Sequence, residues 1–274
     1  MRKIIRLVLF LLVFELMKHT PHAESAFERL PLVPQVTARG GTSVGWSEGK
    51  SAFLWNPAAE ISPRALLSAT YSKPFGIDDL AEGLLSYSHT IANSGSLGLG
   101  WSRLNATGYH EDRQSVAFSW GKELGRVGIR LDRFGIGIDG FGDRAALGVS
   151  VGGVLKIHPS VRMGVAANSI NRPKIPRPLP RSWEIGIGLQ AIPELLLVTD
   201  LRKVDERAVQ IRAGGELLVS RHFSLRAGMH NQPWEIVVGW GIQLQSLVID
   251  YAWVNHSRLD GTHQIAVGWR FERL

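Results

Sequence analysis

From residue 64 onward, apolar residues alternate with small or polar residues in segments of 6 to 11 residues. This period of two is the signature of a β-strand with two different faces. In the segment 234–244, for instance, Trp234, Ile236 and Val238 share one face, whereas Glu235 and Gly239 lie on the other. The alternation predicts an all-β chain in this region, with no helical spacing to compete with it.

Fourteen such segments can be placed along the chain. They are 64–72, 80–90, 97–102, 113–121, 127–132, 147–152, 161–168, 184–191, 194–202, 208–216, 222–230, 234–244, 245–254 and 262–271. The connectors between them tend to alternate in length: 73–79, 105–112, 135–142 and 170–181 are longer, whereas 91–94, 122–123 and Pro193 are short. Short turns at one end and longer loops at the other are typical of an outer-membrane barrel, in which an even strand count puts both chain termini in the periplasm.

The face opposite the apolar one carries Gly, Ala, Ser and charges of both signs. A soluble sandwich or propeller also alternates, with its apolar face turned inward. The strand number, the strand lengths near the ~9 to 11 residues of a tilted membrane strand, and aromatic residues near strand ends favour a transmembrane antiparallel barrel. These aromatic residues are Trp101, Trp120, Trp234, Trp253 and Phe271. The charges predicted to face the lumen are Arg130, Asp132, Arg162, Glu184, Asp200, Arg212, Glu216, Arg226, Glu235, Asp250 and Arg270.

The first 25 residues predict a secretory signal. Arg2, Lys3 and Arg6 precede the apolar run 7–14, and small residues near position 25 offer a cleavage site. The alternative, an uncleaved anchor, is disfavoured because the apolar run has eight residues, against the ~20 that a spanning helix needs. Without this segment 27 basic and 22 acidic residues remain, scattered along the chain, so a nucleic-acid partner is not expected. The absence of cysteine excludes disulfide scaffolds, thiolate metal sites and thiol catalysis.

Residues 26–63 lack the strand period. They contain the pair Gly40-Gly41 and the turn signal Asn56-Pro57. A fourteen-stranded lumen is too wide for its own side chains to fill, since about eight strands is the size that they close. The chain is therefore predicted to divide into a signal peptide (1–25), a hatch or plug (26–63) and a barrel (64–274).

Two stretches resemble a known family. Residues 38–45 followed by 52–59, with the motif Asn56, Pro57 and Ala58, resemble the opening of the FadL-type outer-membrane transport proteins and their PorV/PorQ relatives. Residues 249–271 resemble the last hairpin of the PorV/PorQ group. The resemblance implies a fourteen-stranded barrel with a periplasmic N-terminal hatch, in which these three residues are the hatch motif. It also implies a protein in outer-membrane lipid that passes a small apolar molecule; the alternative is an accessory that docks components of protein secretion or outer-membrane assembly.

Several motifs could in principle carry chemistry. Residues 41–45 match G-x-S-x-G, and residues 135–140 match G-x-G-x-x-G, but neither has the strand–turn–helix context that a hydrolase or a dinucleotide site requires. Asp139-Gly140 is better explained as a hairpin turn. The histidines show no metal spacing, and His230, or His256 with Asp260, is the remaining candidate base of an outer-membrane enzyme. No cofactor, metal or catalytic activity is expected. The proline-rich stretch 171–180 is predicted to be a stiff external loop.

Overall fold

The computed structural model describes residues 26–27, 32–46, 48–49, 51–60, 65–92, 95–122, 124–257 and 259–271. The predicted signal segment, 1–25, lies outside this range. Helical structure in the described residues is limited to helix α1, Pro34–Thr37, and two 3-10 turns, Ala52–Leu54 and Pro74–Gly76. In this part of the chain no helix has the length and apolar character needed to cross a membrane.

The described residues form sixteen strands, of which fourteen close into one antiparallel barrel and two form a small hairpin within a connector. In chain order they are β1 Leu66–Lys73, β2 Ala81–Ala92, β3 Gly95–Ala106, β4 Tyr109–Lys122, β5 Gly125–Ile138, β6 Gly142–His158, β7 Val161–Asn168, β8 Lys174–Ile175, β9 Arg177–Pro178, β10 Ser182–Ile192, β11 Leu195–Val204, β12 Gln210–Ser220, β13 Phe223–His230, β14 Glu235–Gln243, β15 Leu247–Asn255 and β16 Thr262–Arg270. Each barrel strand pairs with its neighbours, and β1 pairs with β16. The predicted fourteen-stranded barrel is confirmed.

The alternation in sequence becomes an alternation between the two sides of the barrel wall. In β10, Ile185 and Ile187 point outward and are 41% and 50% exposed, whereas Glu184 points inward and is 6% exposed. A continuous outer surface of exposed Leu, Ile, Val and Trp side chains is unfavourable in water and suits the hydrocarbon layer of a membrane. Trp101, expected near a strand end, lies in the middle of β3, because that strand is longer than its alternating segment.

The two ends of the barrel differ in their connectors. One end, here the short-turn end, has the turns 159–160, 193–194, 221–222 and 244–246 and is also where β2 is followed by β3 and β4 by β5. The other end, here the long-connector end, has the connectors 74–80, 107–108, 139–141, 169–181, 205–209 and 231–234, and is also where β15 is followed by β16. The prediction of long loops at 105–112 and 135–142 was wrong, since both segments form tight hairpins. A hairpin that extends beyond the lipid needs no apolar outer face, so its strands lose the alternation while their backbones stay paired. Gly108 makes the first turn with a φ of 71°.

The proline-rich connector folds back over the barrel mouth. Its hairpin β8–β9 places Ile175 and Leu179, each 4% exposed, against the inward side chains Phe134 and Ile136 of β5. The connector lies at the long-connector end and packs against the barrel wall, while its external position stays a prediction. It thereby covers the part of the mouth beside β5. The part of the mouth that is lined by β11–β16 is more open.

Candidate functional site: the hatch and the two lumen cavities

The segment that lacks strand period lies inside the barrel. Here "hatch" denotes its described residues 32–46, 48–49 and 51–60. Helix α1 begins with Pro34 at its first turn, and the chain then reverses through Gly40 and Gly41, whose φ angles of 75° and 74° favour glycine. The hatch has an apolar core of its own, which also touches the barrel wall. This core consists of Leu32, Val33, Val36, Ala52, Phe53, Leu54, Trp55 and Ala59, together with Leu84 and Ala117.

Inward glycines let the hatch backbone lie directly on the wall. A side chain at Gly164 would collide with the carbonyl of Val44, and one at Gly214 would collide with Arg39. A side chain at Gly128 would likewise overlap Pro57. Much of the glycine content of the barrel therefore serves close packing against the hatch.

Two buried charges of the wall bind hatch backbone. The carboxylate of Asp200 accepts hydrogen bonds from the backbone N–H groups of Ser43, at 2.7 Å, and Val44, at 2.9 Å. Four strands further round the wall, on β5, Arg130 donates to the carbonyls of Phe53, at 3.0 Å, and Leu54, at 2.6 Å. A buried charge is tolerated only where such partners replace water, so the wall and the hatch satisfy each other.

A chain of ion pairs fills the centre of the lumen. Arg226 contacts Glu216 at 3.0 Å and Asp250 at 2.8 Å, and Glu216 contacts Arg39 of the hatch at 3.5 Å. Nearby, Arg212 donates to the carbonyl of hatch residue 41 at 3.1 Å. The interior is polar here, in contrast to the outer surface.

The remaining predicted site residues lie at the periphery of this network. Arg162 lies 4.4 Å from the ring of Trp46 and pairs with Glu60 at 3.1 Å and with Glu48. Asp132 pairs with Arg130 at 2.9 Å. Glu235 and Arg270 also face the lumen, as does Glu184, so all ten charges named from the sequence as site residues have inward positions. The roles assigned to them stay predictions.

The motif Asn56-Pro57-Ala58 is a tight turn of the hatch that is buried against the barrel wall. The Asn56 amide group donates to the carbonyls of Val44 and Gly153, both at 3.4 Å, and its oxygen accepts the N–H of Ala58 at 3.0 Å. Asn56 and Ala58 are fully buried. These hydrogen bonds need both a donor and an acceptor on one short side chain, which explains why an asparagine occupies this position.

Two cavities lie on either side of the hatch. The outer cavity, about 570 Å³, opens at the long-connector end, and its lining includes Thr37, Phe75, Val237, Val254 and Gln264. The inner cavity, about 400 Å³, opens at the short-turn end, and its lining includes Gln35, Glu48, Arg226, Asp250 and Arg270.

The two cavities share no lining residue. Between them, fully buried Ala252 pairs with Gly239, at which a side chain would collide with Ala38 of the hatch. The lumen is therefore divided at the level of α1.

A cluster in the outer cavity joins residues that are distant in sequence. Glu235 contacts His256 Nδ1 at 2.6 Å and His230 Nε2 at 3.2 Å. His256 Nε2 is 2.8 Å from the hydroxyl of Thr262, and Phe75 packs on the same imidazole at 4.7 Å. The convergence was not predicted, because period-two patterns give no information on which loops meet.

The catalytic alternatives from the sequence find little support in this geometry. His256 bonds to Glu235 and Thr262 rather than to Asp260, which gives no support to the alternative of a His256–Asp260 base. The Thr262 hydroxyl is the group that His256 could activate, but Thr262 is 1% exposed and its oxygen also accepts the N–H of Phe75. Such a buried hydroxyl has no approach to a substrate carbonyl.

The two sequence motifs and the histidine spacing have structural explanations. Ser43 is 1% exposed within the hatch, whereas Asp139-Gly140 forms the predicted hairpin turn. His222 lines the inner cavity and His230 the outer one. Within the described ranges no group of three histidine or carboxylate side chains is placed to bind a metal ion.

Comparison with known proteins gives similarity of structure but not of sequence. No protein-family model matches the chain, and no curated protein matches it. The toluene transporter TbuX of Ralstonia pickettii superposes with a TM-score of 0.69 at 13% identity, over 90% of this chain and 100% of that one. The toluene transporter TodX of Pseudomonas putida gives a TM-score of 0.66 at 12% identity, over 87% and 97%. The CymD monoaromatic hydrocarbon channel gives 0.69 at 13% identity, over 91% and 100%.

These similarities establish the FadL-type barrel fold that the sequence resemblance implied. The closer likeness to the PorV/PorQ group stays a prediction.

Proposed function

We propose that the protein is an outer-membrane channel that takes up a small apolar molecule from the long-connector end. The observation that carries the proposal is the outer cavity, closed below by the hatch, in a barrel with the fold of transporters described as carrying toluene and monoaromatic hydrocarbons. The exposed apolar band supports a position in the bilayer, and the predicted signal peptide supports export to the outer membrane.

The outer cavity has the size and lining of a small-molecule site. Its volume of about 570 Å³ falls within the ~300 to 1,000 Å³ range of ligand pockets, and ~150 Å³ suffices for benzene in a protein core. Phe75, Val204, Val237 and Val254 contribute apolar surface. Burial of an aromatic molecule there is favoured by about 25 cal/mol for each Å² removed from water.

The hatch has to move, or the cargo has to go around it, for transport to occur. On the other side of the hatch, in the lining of the inner cavity, lie the ion pairs of Arg226 with Glu216 and Asp250. An apolar molecule cannot replace these partners, so separating them in its presence would leave charges uncompensated. The arrangement supports a gated channel rather than an open pore.

Filling the mouth of the outer cavity tests this proposal. Ala208 is an exposed lining residue of the connector 205–209, and its neighbour Val209 is 43% exposed and outside the lining. We expect Ala208→Trp to reduce toluene uptake by cells carrying the protein at least about fivefold, with Val209→Trp close to wild type, because an indole occupies the entrance in only one of them.

Uptake is measured with labelled toluene against cells that lack the protein. Wild-type uptake equal to that background would contradict the proposal. Co-purification with secretion components in place of uptake would support the accessory role instead.

A further inference from the structure

A tryptophan marks the edge of the apolar outer surface at the long-connector end of the barrel. Trp183 is the first outward residue of β10 and is 51% exposed, and Ile185 and Ile187 continue the apolar surface along the strand. Aromatic residues at the end of an apolar band are typical of the boundary between hydrocarbon and lipid headgroups. Polar side chains next to Trp183 therefore lie at the depth of the headgroups.

Two cations flank this ring. The guanidinium of Arg181 lies 5.5 Å from the centre of the Trp183 ring. Lys203 of β11 pairs with Trp183 in register, so its side chain leaves the wall on the same, lipid-facing side. The Lys203 ammonium donates to the backbone carbonyl of Arg207. Neither cation forms an ion pair with a carboxylate of the described residues, so their charges are available to a ligand.

The neighbouring connector adds to the positive charge. Residues 170–181 contain four basic residues and no acidic one. Lys174 and Arg177 are exposed and make no ion pair within the described ranges, whereas Arg172 contacts Asp205 at 2.6 Å. The five basic residues Arg172, Lys174, Arg177, Arg181 and Lys203, here the basic patch, thus outnumber the two acidic residues of the facing connector, Asp205 and Glu206.

We infer that the basic patch binds the phosphate group of a lipid in the leaflet around the long-connector end. Guanidinium and ammonium groups form strong, charge-assisted hydrogen bonds with phosphate oxygens. Trp183 and Ile185 offer apolar surface to the acyl chains of the same molecule. A free phosphate ion would use only the charges, and a neutral lipid only the apolar surface, so a lipid with a phosphorylated headgroup fits best.

This site is separate from the proposed passage through the lumen. No residue of the basic patch lines the outer or the inner cavity. The inference therefore concerns the lipid that holds the barrel in the membrane, and it does not depend on what the channel carries.

The test compares three probes on the mature full-length protein in a neutral detergent. Dioleoyl phosphatidic acid has phosphate and acyl chains, dioleoylglycerol has the same chains without phosphate, and glycerol 3-phosphate has the phosphate without chains. Native mass spectrometry counts the molecules bound during each titration. We expect wild-type protein to bind phosphatidic acid about tenfold more tightly than dioleoylglycerol, and glycerol 3-phosphate at least about a hundredfold more weakly than phosphatidic acid.

The double variant Arg181→Gln, Lys203→Gln removes the two charges beside Trp183. It should weaken phosphatidic acid binding about tenfold and leave dioleoylglycerol within about twofold. The matched control is Lys73→Gln with Arg103→Gln, which removes the same charge at the same end of the barrel. These two residues already have carboxylate partners, Asp78 and Asp112, so phosphatidic acid binding should stay within about twofold. Heat-modifiable migration on gels checks that each variant forms the barrel.

Three results would overturn the inference. The first is equal affinity of wild-type protein for phosphatidic acid and dioleoylglycerol, and the second is an equal loss in the two double variants. The third is binding of glycerol 3-phosphate as tightly as phosphatidic acid, which would assign the patch to a soluble phosphate compound. None of these results bears on toluene uptake, which tests the channel proposal independently.

Discussion

Arg130 shows how one inward charge connects the barrel wall to the hatch. Its guanidinium is 1% exposed and donates to Asp132, to two hatch carbonyls, to Ser150 at 3.2 Å and to Asn168 at 2.9 Å. Every donor direction of the fork is thus used, which is the condition under which a buried charge is stable. The sequence showed the charge and its side of the strand, but not these partners.

Replacing Arg130 should therefore destabilise the barrel more than replacing an outward arginine. We expect Arg130→Met to lower the free energy of unfolding by about 3 to 5 kcal/mol, the usual cost of removing one partner of a buried ion pair. Arg133→Met, at an exposed position on the same strand, is the control and should cost under about 1 kcal/mol. Urea unfolding in detergent micelles measures both, and equal losses would show that Arg130 is not a structural anchor.

At the scale of elements, two kinds of contact attach the hatch to the barrel wall. Asp200 and Arg130 hold buried backbone, whereas Arg162 holds Glu48 and Glu60, which are 38% and 52% exposed, beside the inner cavity. Exposed ion pairs contribute about 0 to 1 kcal/mol each. We therefore expect the Arg162 attachment to be the weaker one.

Arg162→Ala should loosen this part of the hatch without unfolding the barrel. Backbone amide exchange of residues 48–60 is expected to accelerate up to about tenfold, while exchange in β4 and β5 stays unchanged. Arg221→Ala removes an exposed arginine of the same cavity that has no ion pair among the described residues, and should have no effect. Unchanged exchange in Arg162→Ala would place the weak attachment elsewhere.

At the scale of the whole molecule, we expect the closed sheet and the hatch together to decide permeability. A fourteen-stranded barrel without a plug would hold a wide aqueous lumen, whereas here the cavities of about 570 and 400 Å³ are separated by packed residues. The wild-type protein should therefore carry little ionic current in a planar bilayer.

Deleting residues 32–60 should raise the single-channel conductance severalfold, because the inward charges would then line a water-filled pore. The deleted protein must still show heat-modifiable migration, which reports the closed barrel. A conductance equal to that of the wild type, in a correctly formed barrel, would show that these residues do not block the lumen.

The sequence by itself determined the strand number, the side of the wall on which each charge lies, and the place where the alternation stops. It could do so because a strand exposes alternate residues to opposite sides, so lipid on one side imposes a period that is visible in one chain.

Only the tertiary structure decided that Glu235 meets His256, that 107–108 is a two-residue turn, and that Ile175 and Leu179 fold into the mouth. These features depend on strand register and on the path of irregular backbone, both of which arise from contacts between residues far apart in the chain.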